Sequence, residues 1–237
     1  DITGESSQDR AAYNSLDSAG ITLAVGSPGF DNTYENAGKV RVFEWTGGSW
    51  SQKGTSIEGL EAEDNFGASV KLSASGNILA IGAGIYHLQV KPERVRIFTW
   101  NGTDWVQKGL EIQGPLLVNN VALSIDMSSD GNVVAIGGPQ SDENGTNTGH
   151  VCVYDWVDGE WVIRGQPLLG RTYSSRAGNR VSLSYDGLIV AVGAPTLAGP
   201  EGYVMVYEWK DSSWVQLGVD ISAGQRGDLF GSGVSLS

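Results

Sequence analysis

The chain has one cysteine, Cys152, two methionines and two histidines among 237 residues, and each scarcity removes a class of chemistry. One thiol cannot form an intrachain disulfide, so the redox compartment stays open. Cys152 alternates with Tyr154 and Trp156 on one strand face, the pattern of a buried, inert thiol. There is no His-x-x-x-His or Cys-x-x-Cys spacing, no Gly-x-Ser-x-Gly elbow and no phosphate loop. His87 and His150 fall in different repeats, and His150 opens a strand where other copies carry Lys39, Arg94 and Tyr203, which reads as an exposed, tolerant position. With no nucleophile and base in sight, the expectation is a protein without enzymatic activity, catalytic residues, cofactor or metal.

Basic residues are also few: 15 Lys and Arg stand against 27 Asp and Glu, a net charge of −12. Such a chain repels polyphosphate, so no nucleic acid partner is expected. The one basic cluster, Lys91, Arg94 and Arg96, is interrupted by Glu93 and fits the outward positions of a strand. No apolar run approaches the ~20 residues needed to cross a bilayer, so membrane insertion is not expected either. The N-terminal "DITGESSQDR" is polar, as in a mature or excised segment.

What the sequence has in abundance is glycine and tryptophan. Its 34 glycines are about twice the average share and imply many tight turns between short strands. All eight tryptophans fall in four copies of one pattern: "GKVRVFEWTGGSWSQKG", "ERVRIFTWNGTDWVQKG", "GHVCVYDWVDGEWVIRG" and "GYVMVYEWKDSSWVQLG". Trp45, Trp100, Trp156 and Trp209 recur at intervals of 55, 56 and 53 residues, and Gly20, Gly76, Gly131 and Gly187 at 56, 55 and 56. Two independent markers thus give one period, which decides the architecture.

Each unit reads as four segments. A first strand ends in a turn such as "SASG"; a second is a continuous apolar run such as "NILAIGA", the mark of a strand buried on both faces. A third alternates with a two-residue period and ends at the first tryptophan. A hairpin turn follows, and Trp50, Trp105, Trp161 and Trp214 open the fourth. The paired tryptophans bracket that hairpin, and their contact depends on register. Four antiparallel strands in each ~50-residue unit, covered on both faces, predict an all-β β-propeller, with a stacked solenoid as the competing architecture.

The stretch "FGASVKLSASGNILAIGAG" resembles the FG-GAP repeat family, known from the β-propellers of integrin α subunits. Phe-Gly occurs at Phe66-Gly67 and Phe230-Gly231. The second half appears as Gly26-Ser27-Pro28, Gly82-Ala83-Gly84, Gly137-Gly138-Pro139 and Gly193-Ala194-Pro195. The resemblance implies interaction through loops, and calcium in Asp-rich hairpins between the two halves. Here those hairpins read "LDSAG", "LSASG", "MSSDG" and "LSYDG", too poor in oxygen ligands for calcium. Asp130 and Asp186 read instead as turn formers, and the chain as a calcium-free branch. In the acidic loops Asp31–Gly38 and Ser141–Gly149 a solvated surface competes with a loose cation site of Asp142, Glu143 and Asn147.

The function expected on these grounds is a non-catalytic extracellular or cell-surface structural and adhesive repeat protein; the alternative is a propeller recognising a protein or glycan through its loops. Expected partners are proteins, including copies of itself by strand addition at the chain ends, or glycan. Asn101 and Asn144 each head an Asn-Gly-Thr sequon and are glycosylation candidates. The repeats fall at about 1–55, 56–110, 111–165 and 166–219, and residues 220–237 begin a fifth. Because "DITGESSQDRAAYNSLD" and "DISAGQRGDLFGSGVSLS" claim one place in the repeat, the expectation is a slice of a longer array, with strand exchange between chains and a self-contained ring as alternatives.

Overall fold

The computed structural model describes residues 2–5, 8–84, 94–114, 124–196, 201–222, 224 and 227–237. Those residues form four antiparallel sheets and no helix, consistent with a β-propeller. Blade 1 comprises β1 (Tyr13–Leu16), β2 (Thr22–Ser27), β3 (Lys39–Trp45), β4 (Trp50–Gln52) and β5 (Ile57–Glu58). Blade 2 runs from β6 (Ser69–Leu72) through β7 (Ile78–Ala83), β8 (Arg94–Trp100) and β9 (Trp105–Gln107) to β10 (Ile112–Gln113). Blade 3 has β11 (Ser124–Met127), β12 (Val133–Gly138), β13 (His150–Val157), β14 (Glu160–Ile163) and β15 (Leu168–Leu169). Blade 4 has β16 (Arg180–Leu183), β17 (Ile189–Ala194), β18 (Tyr203–Lys210), β19 (Ser213–Gln216) and β20 (Ile221–Ser222).

Strand order repeats in every blade: first, second, third, fourth, with the two-residue fifth strand returning to pair with the third. The sequence reads the fourth and fifth strands as one segment, and the structure divides them. Phe43 pairs with Gln52 but Val40 pairs with Ile57, so the chain bulges around Lys53-Gly54. The cause lies in the next blade. Gly54 has φ of +78°, and a Cβ there would stand 2.8 Å from the indole of Trp100. Gly109 and Gly165 meet Trp156 and Trp209 in the same way. Only a residue free of Cβ and at home at positive φ lets the bulge slide under the neighbour's ring.

The tryptophan pairs do touch. Trp45 lies opposite Trp50, Trp100 opposite Trp105, Trp156 opposite Trp161 and Trp209 opposite Trp214. Their ring centroids are 5.6, 5.5, 5.1 and 5.2 Å apart, in tilted contacts typical of favourable aromatic pairs. The second ring of each pair also ties blades together: Trp105 Nε1 donates to the Lys53 carbonyl, Trp161 Nε1 to Lys108 and Trp214 Nε1 to Arg164. Lys53, Lys108 and Arg164 place their cations over Trp100, Trp156 and Trp209. Trp45, in blade 1, is 41% exposed, while its three counterparts pack beneath a preceding blade.

The cores lie between sheets and not within one. The apolar second strands supply Leu79, Ile81, Val134, Ile136, Val190 and Val192, all at most 1% exposed. At one end of the first strands, turn residues are joined by backbone bonds: Ser18 N–H to Ala74, Ala74 N–H to Ser129 and Ser129 N–H to Tyr185. That chain of bonds fixes the spacing of β1, β6, β11 and β16, and so shapes the opposite end, where the four strands begin.

Candidate functional site

Where the four first strands begin they line an open cavity of about 410 Å³. Tyr13 and Asn14 come from β1, Ser69 and Val70 from β6, Ser124 and Ile125 from β11, and Asn179 to Val181 from blade 4. Among the described residues that line it, Arg180 is the charged one, in a chain of net charge −12. Arg180 is exposed, and one guanidinium nitrogen donates to the Asn179 carbonyl at 2.9 Å. The Ser124 hydroxyl donates to the Gly178 carbonyl at 2.8 Å, leaving its oxygen lone pairs toward further donors.

Two residues further along each strand, the repeat places Ser15, Lys71, Asp126 and Ser182 in equivalent positions. Three of them accept from the next repeat: Leu72 N–H donates to Ser15 Oγ, Leu183 N–H to Asp126 Oδ2 and Leu236 N–H to Ser182 Oγ. Lys71 has no acceptor to offer. Asp126 compensates: its Oδ1 receives the Met127 N–H at 2.9 Å and the Lys71 ammonium at 2.6 Å, while the Ser182 hydroxyl donates to Oδ2 at 3.1 Å. This buried carboxylate joins three blades below the cavity floor.

The sequence-derived candidates fall elsewhere. The tryptophans are structural links around the outer hairpins. Asn101 is exposed in the β8–β9 turn, and its Oδ1 accepts the Thr103 and Asp104 N–H groups. The exposed Asn144 donates through Nδ2 to the Gly170 carbonyl. Asp142 accepts the Asn147 N–H at 2.7 Å, a turn that Asp31 and Asn36 repeat in blade 1. Among the described residues no three acidic, His or Cys side chains converge as for a metal ion. His150 is fully buried and Lys39 and Tyr203 nearly so, which corrects the reading of that position as exposed; Lys39 reaches Glu5, and Tyr203 accepts the Arg171 N–H, each in the segment leading into its own blade. His87 and Lys91 lie outside the described residues.

Asp130 and Asp186 do form turns. Each accepts a serine hydroxyl two residues earlier, at 2.6 Å, and an N–H two residues later. Burial pulls the Asp130 carboxyl upward, but the Ser128 and Asn132 bonds and Lys108 outweigh it and hold it below 3.8. The Ser184 hydroxyl and Leu188 N–H hold Asp186 below 3.8 as well. A lowered folded pKa stabilises the fold above the unfolded value and is lost as pH falls through the folded one. Thermal melts are therefore expected to be level above about pH 5 and to fall below about pH 4. In the double variant Asp130→Asn, Asp186→Asn that acid slope should be shallower; an unchanged slope would refute the assignment.

No family model matches the chain and no curated protein does. Solved structures do. Hydrazine synthase of Kuenenia stuttgartiensis is 12% identical with a TM-score of 0.60, over 94% of this chain and 52% of that one. A Bacteroides uniformis protein assigned as a 6-phosphogluconolactonase is 11% identical, TM-score 0.62, over 91% and 55%. The periplasmic gluconolactonase of Pseudomonas aeruginosa is 15% identical, TM-score 0.63, over 96% and 60%. The chain thus spans 52 to 60% of the length of these structures.

These findings correct the sequence reading. The resemblance to the FG-GAP family of integrin propellers is not upheld: no family model supports it, and the solved structures that this chain is similar to include gluconolactonase-type and hydrazine synthase propellers. Glycine pairs such as Gly137 and Gly178 serve the close approach of neighbouring blades, a packing need that carries no family identity. The expectation of a non-catalytic adhesive protein, or of a loop-based binder, conflicts with propeller neighbours that are enzymes. So does the expectation of no enzymatic activity. The residues overlooked are Asn14, Asn179 and Arg180. Their signal was variation among the four copies of the first strand, which read YNSL, SVKL, SIDM and RVSL.

Proposed function

We propose that the cavity at the start of the four first strands is the site of a hydrolase acting on lactones of sugar acids. The observation that carries this reading is Arg180, a lone cation among hydroxyl and amide groups in a concave site fed by all four blades. Likeness to gluconolactonase-type propellers supports it at the level of fold. The periplasmic location of one of them supports export of this protein as well. No helix among the described residues is long and apolar enough to cross a membrane.

The chemistry asks little of the protein. Water adds to the ring carbonyl, the ring C–O bond breaks, and the product hydroxy acid releases a proton to solvent. Negative charge develops on the carbonyl oxygen as water adds and persists in the carboxylate product, and a guanidinium stabilises both. Asn14, Asn179 and the Tyr13 phenol offer donors and acceptors for sugar hydroxyls. Hydrolysis of glucono-δ-lactone followed by acid release is expected to exceed the buffer rate in proportion to protein concentration. A rate equal to buffer, repeated for five-carbon aldonolactones, would reject the reading.

A further inference from the structure

The tripeptide Asn-Gly-Thr occurs twice, at Asn101 and at Asn144, and the fold surrounds the two copies differently. An asparagine before glycine is open to attack on its own side chain, because glycine lacks the Cβ that would shield the next backbone nitrogen. Three atoms decide whether the attack proceeds: the glycine nitrogen as nucleophile, Oδ1 as the oxygen that takes up charge, and Nδ2 as the leaving group.

At Asn101 all three are disposed for reaction. The residue lies in the β8–β9 turn, between the paired Trp100 and Trp105, and both Asn101 and Gly102 are exposed. Its Oδ1 accepts two backbone N–H groups, from Thr103 at 2.8 Å and from Asp104 at 2.9 Å. Negative charge grows on this oxygen when a nucleophile adds to Cγ, so the two N–H groups already aimed at it act as an oxyanion hole does. Among the described residues the Gly102 N–H and the Asn101 Nδ2 have no acceptor. No atom lies within 4 Å of the Cβ position of Gly102, so the turn has room to bend. At Asn144 the same atoms are tied down. The Gly145 N–H donates to the Asp142 carbonyl at 3.1 Å, and Nδ2 donates to the Gly170 carbonyl at 2.9 Å. Oδ1 there accepts from no described residue.

We infer that Asn101 is a site of spontaneous deamidation, converted through a cyclic imide to isoaspartate and aspartate, and that the fold protects Asn144. Hydroxide removes the proton of the Gly102 N–H. The nitrogen then bonds to Cγ of Asn101, the Cγ–Nδ2 bond breaks, and ammonia leaves with a proton from water. Water next adds to either carbonyl of the imide. Opening at Cγ releases the Gly102 nitrogen from it and gives aspartate; opening at the backbone carbonyl leaves that nitrogen on Cγ and gives isoaspartate, with Cβ now part of the main chain. The carbonyl that had accepted the Thr103 and Asp104 N–H groups is then backbone, and the turn loses its brace. Asp104 accepts the Thr55 N–H and hydroxyl, so the change reaches the joint between blades 1 and 2.

Timed incubation of the whole chain in warm, mildly alkaline buffer tests the proposal, with the protein made in a bacterial host so that no glycan occupies Nδ2. Peptide mass spectrometry and labelling by an isoaspartyl methyltransferase are the readouts. Asn101 is expected to convert at least about tenfold faster than Asn144, the factor for the hydrogen bonds that Asn144 and Gly145 must first give up. In urea the identical tripeptides lose their different surroundings, and the two rates should converge. Asn101→Gln, which cannot close the five-membered imide, should abolish the fast conversion, and Asn144→Gln should leave it unchanged. Equal rates in the folded chain, a faster Asn144, no conversion at either site, or a tenfold gap that persists in urea would overturn the proposal.

Discussion

Replacing Gly137 with alanine is expected to lower the stability of the propeller by about 3 kcal/mol, because the added methyl group has no space to enter. A Cβ at Gly137 would stand 2.1 Å from the carbonyl oxygen of Gly178 and 2.7 Å from Ser124 Oγ. The first obstacle is backbone of the next blade, held by a bond from Gly178 N–H to Gly193 and by the Ser124 hydroxyl. Neither blade can retreat without breaking a sheet contact, so the interface must open. For a chain of this size the loss corresponds to roughly 6–12 °C in melting temperature. Gly48→Ala is the control: no atom lies within 4 Å of its Cβ position, and a change within about 0.5 kcal/mol is expected. Equal melting temperatures for the two variants would show that blade contact is looser than described.

Asp126→Ala is expected to cost as much or more, about 3–5 kcal/mol. The substitution removes the acceptor for the Met127 and Leu183 N–H groups and the Ser182 hydroxyl, and strips Lys71 of its partner. Two of the abandoned donors are backbone groups in the tightest part of the fold, where no side chain replaces the acceptor. Asp126→Asn keeps one acceptor oxygen and should fall between alanine and wild type. Lys71→Met, which takes away the half-exposed partner and leaves the carboxylate its three other donors, should cost less than Asp126→Ala. If Lys71→Met were the more damaging, the ion pair and not the capping of the strands would be the main contribution.

The repeat shows how far this sequence can be read. Markers that recur in phase, such as Trp45 with Trp100 or Gly76 with Gly131, report contacts that every blade must make. They disclosed strand order, hairpins and the paired tryptophans. The split of the fourth strand at Lys53-Gly54 was hidden, since its cause is the Trp100 ring of the following blade and not any local preference. The burial of His150 was hidden as well: alignment with Lys39 and Arg94 suggests exposure, yet those two side chains fold back onto Glu5 and Glu61, in the segments before their blades' first strands.

The candidate site was nearly illegible. Asn14, Ser69, Ser124 and Arg180 are about 55 residues apart in sequence, and none has the chemistry of a motif. Only the side-by-side packing of the four first strands, β1 on β6, β6 on β11 and β11 on β16, brings them to one cavity. Where the repeat departs from itself, the departures were the useful signal: Arg180 beside the serines of two other blades, and Lys71 with Asp126. The same logic misled the family reading, because glycines recurring in phase record packing and were taken for ancestry.

The central claim is that the cavity of the four first strands opens lactones with Arg180 as its charged group. It is tested most directly by measuring kcat/KM for glucono-δ-lactone with wild type and Arg180→Met side by side, thermal melts confirming that both are folded. The account predicts hydrolysis above the buffer rate in wild type and a loss of about 10²-fold or more in the variant, the scale of one oxyanion-stabilising donor. Equal kcat/KM in the two proteins, or a wild-type rate no faster than buffer, would contradict it.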